Sequence, residues 1–510
     1  MTLFSMPRLM VAAPRKSSGK TMVSIGLGAA LHQRGLQVQP FKKGPDFIDP
    51  MWLSAACGRR CRNLDFYMMG EGGIEAQFFR HGIGMDLNLV EGNMGLYDGL
   101  NSDGSDSGAA LAQLLHLPVI LVVNCHGIAR SAAPLVWGHL NFPGHIIQLA
   151  GIVLNNISSP RQEKKIRESL EQCCPQAQVV GVLPRGDELS VHERHLGLIP
   201  PSEAHQVEEA VQTIGHWVGS FLDLDNILQL AAKACNLAPP TGNFSLSEEG
   251  KEDIILPFPK HMAEPASTVT IPKQDTPVQD TAQVVGRVGK PLPGARASLK
   301  VAIASDQAFH FYYPENMEAL QERGIQFIPC NLLEDHHLPE VDGLFIGGGF
   351  PEVFLEKLSA NKSMLDWVRQ TALEGLPIYA ECGGLMYLSQ SIHWNQHQAT
   401  MANVLPLAVE MQKRPVGYGY MEIASTGHLS WPHTQQKVRC HEFHYSSAIL
   451  PDHELTYAYK VIRGHGITGK LDGIIHHNVL ASYAHIHALG APGWADFLVS
   501  FWHRGKELIA

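Results

Sequence analysis

Apolar and polar positions follow one rhythm in two separate blocks of the chain. From Arg8 to about Asn236 the runs LMVAA, LQVQPF, LNLVEG, PVILVVN, HIIQLAGIVLN and QVVGVLP are separated by helix-length segments, the first helix opening near Gly19. Short β-branched runs alternating with helices predict a mostly parallel sheet with crossover helices. The rhythm resumes at Leu299 in KVAIA, IQFIPC, GLFIGGG and LPIYAECGG, then turns more β-rich toward Tyr483, which predicts a second α/β domain. Between Leu237 and Ala297 it breaks. PPTGNFS, KHMAEPASTVTIPKQDTPVQD and GKPLPGARAS are rich in proline and poor in aromatics. Such a stretch buries too little apolar surface to offset its ordering entropy and reads as a flexible linker. The expected division is residues 1–236, 237–297 and 298–510.

Length agrees, since 510 residues hold two cores of roughly 200 residues each. Apolar residues make up 45% and charged residues 17%, and no polar-free stretch approaches the roughly 20 residues of a membrane span. The N-terminus passes from a strand-like run straight into a glycine loop, so no signal peptide is expected. Nine cysteines without a CxxC pair point to a reducing cytoplasm. A net charge of −10 gives no reason to expect a nucleic-acid partner. The 27 histidines are mostly dispersed, and His476, His477 and the Cys440-His441-Glu442-Phe443-His444-Tyr445 run fit no common zinc signature.

Pro14-Arg15-Lys16-Ser17-Ser18-Gly19-Lys20-Thr21 follows the first strand and opens a helix, the context a phosphate-binding loop requires. Backbone N–H groups of Ser17, Ser18 and Gly19 and the helix N-terminus can hold phosphate oxygens, Lys20 adds a point charge, and Thr21 offers a hydroxyl to Mg²⁺. Pro14 replaces the first glycine of the usual pattern, and the loop alone also reads as a basic strand-to-helix turn. Two further segments follow strands on the same edge: Gly44-Pro45-Asp46-Phe47-Ile48-Asp49-Pro50 and Glu91-Gly92-Asn93-Met94-Gly95-Leu96-Tyr97-Asp98-Gly99. Singly each is a plausible turn. Together they place Asp46, Asp49 and Glu91 where open α/β sheets bind ligands, and hard cations prefer such oxygens.

In the second block, Tyr379-Ala380-Glu381-Cys382-Gly383-Gly384 sets a cysteine at a sharp strand-to-helix turn, where a helix N-terminus favours the thiolate. Phe345-Ile346-Gly347-Gly348-Gly349-Phe350 ends another strand, and its backbone N–H groups at Gly348 and Gly349, with that of Gly383, can serve an oxyanion. Ser482-Tyr483-Ala484-His485-Ile486-His487 offers two candidate bases.

The phosphate loop, GPDFIDP, EGNMGLYDG and Glu193-Arg194-His195-Leu196-Gly197-Leu198 resemble the cobyrinic (or hydrogenobyrinic) acid a,c-diamide synthases, whose first domain is similar to dethiobiotin synthetase. The second block resembles class I glutamine amidotransferase domains of the cobyric acid synthase type. The resemblance implies a P-loop NTPase-like domain followed by a flavodoxin-like one. It implies that ATP phosphorylates a carboxylate of a tetrapyrrole acid and that ammonia from glutamine displaces the phosphate. Cys382 would be the nucleophile and His485 its base, with His487 standing where many relatives carry the glutamate that orients the base. Thr21, Asp46 and Glu91 would hold Mg²⁺, and Asp46, Asp49 and Asp98 would serve carboxylate activation. A homodimer is compatible with this.

The family usually reads KVGPDYIDP followed by an aromatic and a histidine, whereas this chain has Lys42-Lys43-Gly44 before the motif and Met51-Trp52-Leu53 after it. Asn124 stands where an aspartate is usual. Sirohaem and nickel-sirohydrochlorin therefore stay open as substrates. A reading of another class, a P-loop regulatory or metallochaperone protein with an inactive amidotransferase-like domain, is opposed by intact Cys382 and His485.

Overall fold

The computed structural model describes residues 3–144, 147–186, 193–194, 197–198, 207–240 and 298–504. Strands β1 (Arg8–Ala12), β2 (Val38–Lys43), β3 (Arg62–Leu64), β4 (Leu87–Glu91), β5 (Pro118–Asn124), β6 (Gln148–Ile157) and β7 (Val179–Pro184) form one sheet, ordered β3-β2-β4-β1-β5-β6-β7. Every neighbouring pair is parallel, so each connection crosses over the sheet. Because helices cover both faces, β1, β2 and β4 are buried at every residue. Helices α1 (Lys20–Gln33), α2 (Ile48–Cys57) and α3 (Phe66–Gly82) succeed the first three strands in turn. Leu27 and Leu31 of α1 are fully buried in the cluster on one face, and Phe78 of α3 packs on Phe41 of β2 on the other. Each such side chain contributes about 1.5–3 kcal/mol by leaving water.

The second unit is built on nine strands. In spatial order these are Ile325–Cys330, Leu299–Ala304, Gly343–Ile346, Ile378–Glu381, Val479–Ser482, Leu471–His476, Thr456–Arg463, Gly417–Ser425 and Lys437–His444. The first five are mutually parallel, which is the predicted α/β core. The last four are antiparallel and account for the β-rich stretch of sequence.

Residues 241–297, most of the expected linker, lie outside the described residues, as do 195–196 within the Glu193–Leu198 motif. Leu237 exchanges backbone hydrogen bonds of 2.9 and 3.0 Å with Phe4, so this first linker residue is tied to the nucleotide-side unit. No helix among the described residues is long and apolar enough to cross a membrane.

The two units dock directly. The Arg62 guanidinium is fully buried and reaches Glu318 at 2.6 Å and Glu315 at 3.4 Å, both on the helix Pro314–Gln321 of the second unit. Gln77 of α3 also donates to Glu315. Tyr420 donates to Asp65 at 2.6 Å, and its ring packs on Tyr67, which lies under the guanidinium of Arg439. Breaking a buried pair such as Arg62–Glu315 by removing one partner costs about 3–5 kcal/mol, because the other charge is stranded.

Candidate functional site

The phosphate loop leaves the carboxyl end of β1, the central strand, and turns at Gly19 (φ 94°) into α1. Only glycine fits there, since a Cβ would lie 2.3 Å from the Asn155 amide nitrogen. Asn155, at the end of β6, donates to the Ser18 carbonyl at 3.0 Å and braces the loop from below. Ser18 is buried and bonds the Arg15 carbonyl, while Arg15, Lys16 and Ser17 face solvent.

Register brings the acids beside this loop. Glu91 pairs with Val11 on one side and Lys42 on the other. Its Oε1 accepts from Thr21 at 2.6 Å and from Lys42 at 3.0 Å. Lys42 also bonds Asp49 at 2.5 Å and lies 3.9 Å from Asp46. Thus Thr21, Asp46, Asp49 and Glu91 surround one buried ammonium. Burial pushes the Asp46 carboxyl up to about 8, with the Asp49 charge adding to it. Burial acts upward on Asp49 too, but the Lys42 ion pair outweighs it and holds Asp49 below its ordinary value. Glu91 is raised, burial outweighing Lys42.

Lys20 donates to the Met94 carbonyl at 2.6 Å, and burial, reinforced by the Lys42 charge, lowers its pKa to about 8. Asp98 accepts from the Gly95 N–H at 2.8 Å, beside Pro14, and its charge acts on Lys20. Asn124 stands apart, bonded to the His126 N–H and the Asn156 side chain.

Lys42 is the residue that sequence reasoning missed here. It agrees with the first residue of the family's KVGPDYIDP pattern and was given no role, while attention fell on Lys43 beside it. The signal available was a lysine inside a strand with no exposed face, which must find a counter-charge.

Cys382 sits between the strand Ile378–Glu381 and the helix Gly383–Leu388 with φ 49° and ψ −100°, a conformation an L-residue holds only under constraint. Its N–H bonds the Ser482 carbonyl at 2.7 Å, joining it to the strand that leads to His485. Burial pushes the Cys382 thiol up, opposed by the Gly383 N–H.

Gly348 and Gly349 arrive opposite. A Cβ on Gly383 would lie 3.0 Å from the Gly349 nitrogen, and one on Gly348 would lie 2.6 Å from the His485 ring. Gly349 itself has no room for a side chain, with the Ala308 carbonyl 1.9 Å from the Cβ position. The buried carboxylate of Asp472 accepts from the Tyr483 and Ala484 N–H groups at 3.1 and 3.0 Å and fixes the segment that carries His485.

The carboxylate nearest the His485 imidazole is Glu381, whose Oε2 lies 3.4 Å from Nδ1. Tyr379 donates to its other oxygen at 2.8 Å, and Trp494 donates to the Tyr379 hydroxyl at 3.3 Å. His487 turns the other way. Its Nε2 lies 3.4 Å from Glu315 Oε2 and its ring packs on Tyr313, so it belongs to the domain interface.

Between the two sites lie His441 and Tyr313. His441 stacks on His485 with ring centres 4.8 Å apart and approaches the Tyr313 hydroxyl at 3.2 Å, while that hydroxyl donates to the Pro45 carbonyl of the acid loop. Burial, with the neighbouring His485 and His487, holds His441 well below its ordinary pKa, so its ring is neutral at pH 7.

Comparison with known proteins finds a family match in each half of the chain. Residues 9–198 match the CobQ/CobB/MinD/ParA nucleotide binding domain, and residues 300–492 match the CobB/CobQ-like glutamine amidotransferase domain. A cobyrinate a,c-diamide synthase of Magnetococcus marinus is 47% identical over 501 residues, covering 98% of both chains. Another of Archaeoglobus fulgidus is 35% identical over 95% of this chain and 94% of its own, and one of Methanosarcina acetivorans is 34% identical over 97% and 95%. Full-length likeness of this kind, carrying both domains, establishes that the chain belongs to the cobyrinate a,c-diamide synthase family, glutamine-hydrolysing amidoligases of cobalamin biosynthesis.

Proposed function

We propose that the chain converts the a- and c-side-chain carboxylates of cobyrinic (or hydrogenobyrinic) acid to amides, with ATP as activator and glutamine as nitrogen source. Residues 1–236 would activate the carboxylate and residues 298–510 would release ammonia. The observation that carries the reading is the docking of the two candidate sites. The acid loop after β2 abuts the His485 ring, so an electrophile and its nucleophile are made on either side of one contact.

On the nucleotide side, a substrate carboxylate oxygen attacks the terminal phosphorus of ATP, and ADP leaves. Ammonia then adds to the acyl carbon, inorganic phosphate departs, and a proton is lost to give the amide. The N–H groups of Ser17, Ser18 and Gly19 and the Lys20 ammonium would hold the phosphates, and Asp46, Asp49 and Asp98 would border the carboxylate. The residues suit Mg²⁺: Thr21, Asp46 and Glu91 offer only oxygen, and Glu91 Oε2 is buried without a hydrogen-bond partner. Bound there, Mg²⁺ would neutralise phosphate charge. Among the described residues no three His, Cys, Asp or Glu side chains form a self-sufficient metal site, so phosphate and water would complete its shell.

On the other side, Cys382 would attack the glutamine amide carbon after losing its proton to His485. The backbone of Gly348, Gly349 and Gly383 would stabilise the oxyanion, and His485 would return a proton to the leaving ammonia. Water then hydrolyses the thioester to glutamate. The Glu381 carboxylate would orient the imidazole and stabilise its charged form.

Mass spectrometry of products formed with ATP, Mg²⁺ and glutamine tests the reading. Cobyrinic or hydrogenobyrinic acid should lose about one mass unit for each carboxylate converted, two in all, while sirohaem and nickel-sirohydrochlorin stay unchanged. Conversion of either of the latter instead would reassign the substrate.

A further inference from the structure

We infer that Phe47 is a positioning residue through which the acid loop of the nucleotide domain holds His485 in register, so that ammonia is released productively only against a seated loop. This rests on the function proposed above and adds a residue to it. Phe47 lies between Asp46 and Asp49, at the N-terminal cap of α2, yet its side chain leaves its own domain. It enters a box of four rings from the other. Phe311 lies parallel to it, with centres 5.0 Å apart and 4° between planes. Tyr313, His485 and His441 lie at 4.5, 5.3 and 5.5 Å.

Three walls of that box lead to a part of the thiol site. His485 is the base. His441 stacks on it and is joined to it by two backbone hydrogen bonds, of 3.2 and 2.8 Å. Phe311 pairs in a short ladder with Gly348, whose α-carbon borders the His485 ring. Tyr313 is tied back to the acid loop through the Pro45 carbonyl.

A close-packed ring cluster responds to displacement as a unit, because moving one ring leaves a gap its neighbours must fill. An error of about 1 Å at a catalytic group costs on the order of a hundredfold in rate. Arrival of phosphate and carboxylate at Asp46 and Asp49 acts on the residues flanking Phe47, and its phenyl ring carries that displacement to the base. Phe47 touches no reacting atom and carries no proton. Its contribution is therefore to the placement of the base rather than to proton transfer itself.

The test measures amide and glutamate formed per unit time by full-length wild type, Phe47→Ala and Phe47→Tyr, on cobyrinic acid with ATP and either glutamine or ammonium. In Phe47→Ala, ammonium-driven amidation should stay within about twofold of wild type, which also reports a folded nucleotide domain, while glutamate release from glutamine should fall about tenfold in kcat with little change in KM. Phe47→Tyr, which keeps the ring, should restore the wild-type rate. An unchanged rate of glutamate release in Phe47→Ala overturns the inference, as does a parallel fall in ammonium-driven amidation, which would assign Phe47 to its own loop alone. No amide from wild type with either nitrogen source would overturn the proposed function and this inference with it.

Discussion

Around Lys42 a buried ammonium meets the buried Glu91 and the half-buried Asp46 and Asp49, whereas around His485 rings predominate, with the Glu381 carboxylate behind them. The contrast follows from what each side handles. Phosphoryl transfer moves dense negative charge, and a site already holding a fixed ammonium needs little reorganisation when that charge arrives. Ammonia loses its nucleophilicity when protonated, and His441, held neutral, stands with the phenol of Tyr313 between the two sites.

The largest effect expected is a clean separation of the two regions. Cys382→Ala should lower glutamine-driven amidation by more than about a thousandfold while leaving ammonium-driven amidation near wild type. Lys42→Met should abolish amidation from both sources and leave glutamate release measurable. Steady-state assays with each nitrogen source read both, and loss of ammonium-driven activity in folded Cys382→Ala would contradict the two-site account.

A smaller change sharpens the neutral side. Glu381→Gln should reduce glutamine hydrolysis by about a hundredfold in kcat, with little change in KM, because the imidazole loses the carboxylate 3.4 Å from its Nδ1. A variant with wild-type kcat would remove Glu381 from the mechanism.

The smallest effect concerns the seam. Burial acts upward on Glu315, but the neighbouring His487 and the Arg62 charge outweigh it and hold its carboxyl at about 2. Its folded value lies below the unfolded one, so it stabilises fully above about pH 4.5 and loses that contribution as pH falls through about 2. Wild type should therefore lose about 2 kcal/mol from this group between pH 7 and pH 3. Glu315→Gln, compared by denaturant unfolding at the two pH values, should lose correspondingly less.

Most of the sheet was legible because its strands are apolar runs between helices. Strand β3 was not, since Arg62-Asn63-Leu64 has no apolar run, and its buried arginine meets acids on the other domain. The candidate site residues were legible where glycine marks a turn, as at Gly19, Gly348 and Gly383. Asp98 and Asn124 illustrate the limit: one follows a strand and the other ends one, yet only Asp98 lies against the phosphate loop. Glu381 was hidden for another reason. The carboxylate was sought two residues after His485, where the chain has His487, and sequence order does not reveal that the residue before the nucleophile lies within reach of the imidazole. Phe47 received no role within GPDFIDP because its partners come from the far half of the chain.

The buried arginine of β3 also limits how the halves can be exchanged. A nucleotide half joined to an amidotransferase half from another relative would keep Arg62 at the seam but inherit whatever residues replace Glu315 and Glu318. Without two acids there, the hybrid would strand a guanidinium away from water. Halves that recombine must therefore travel with this charge pattern matched, and the seam acts as a compatibility lock between them.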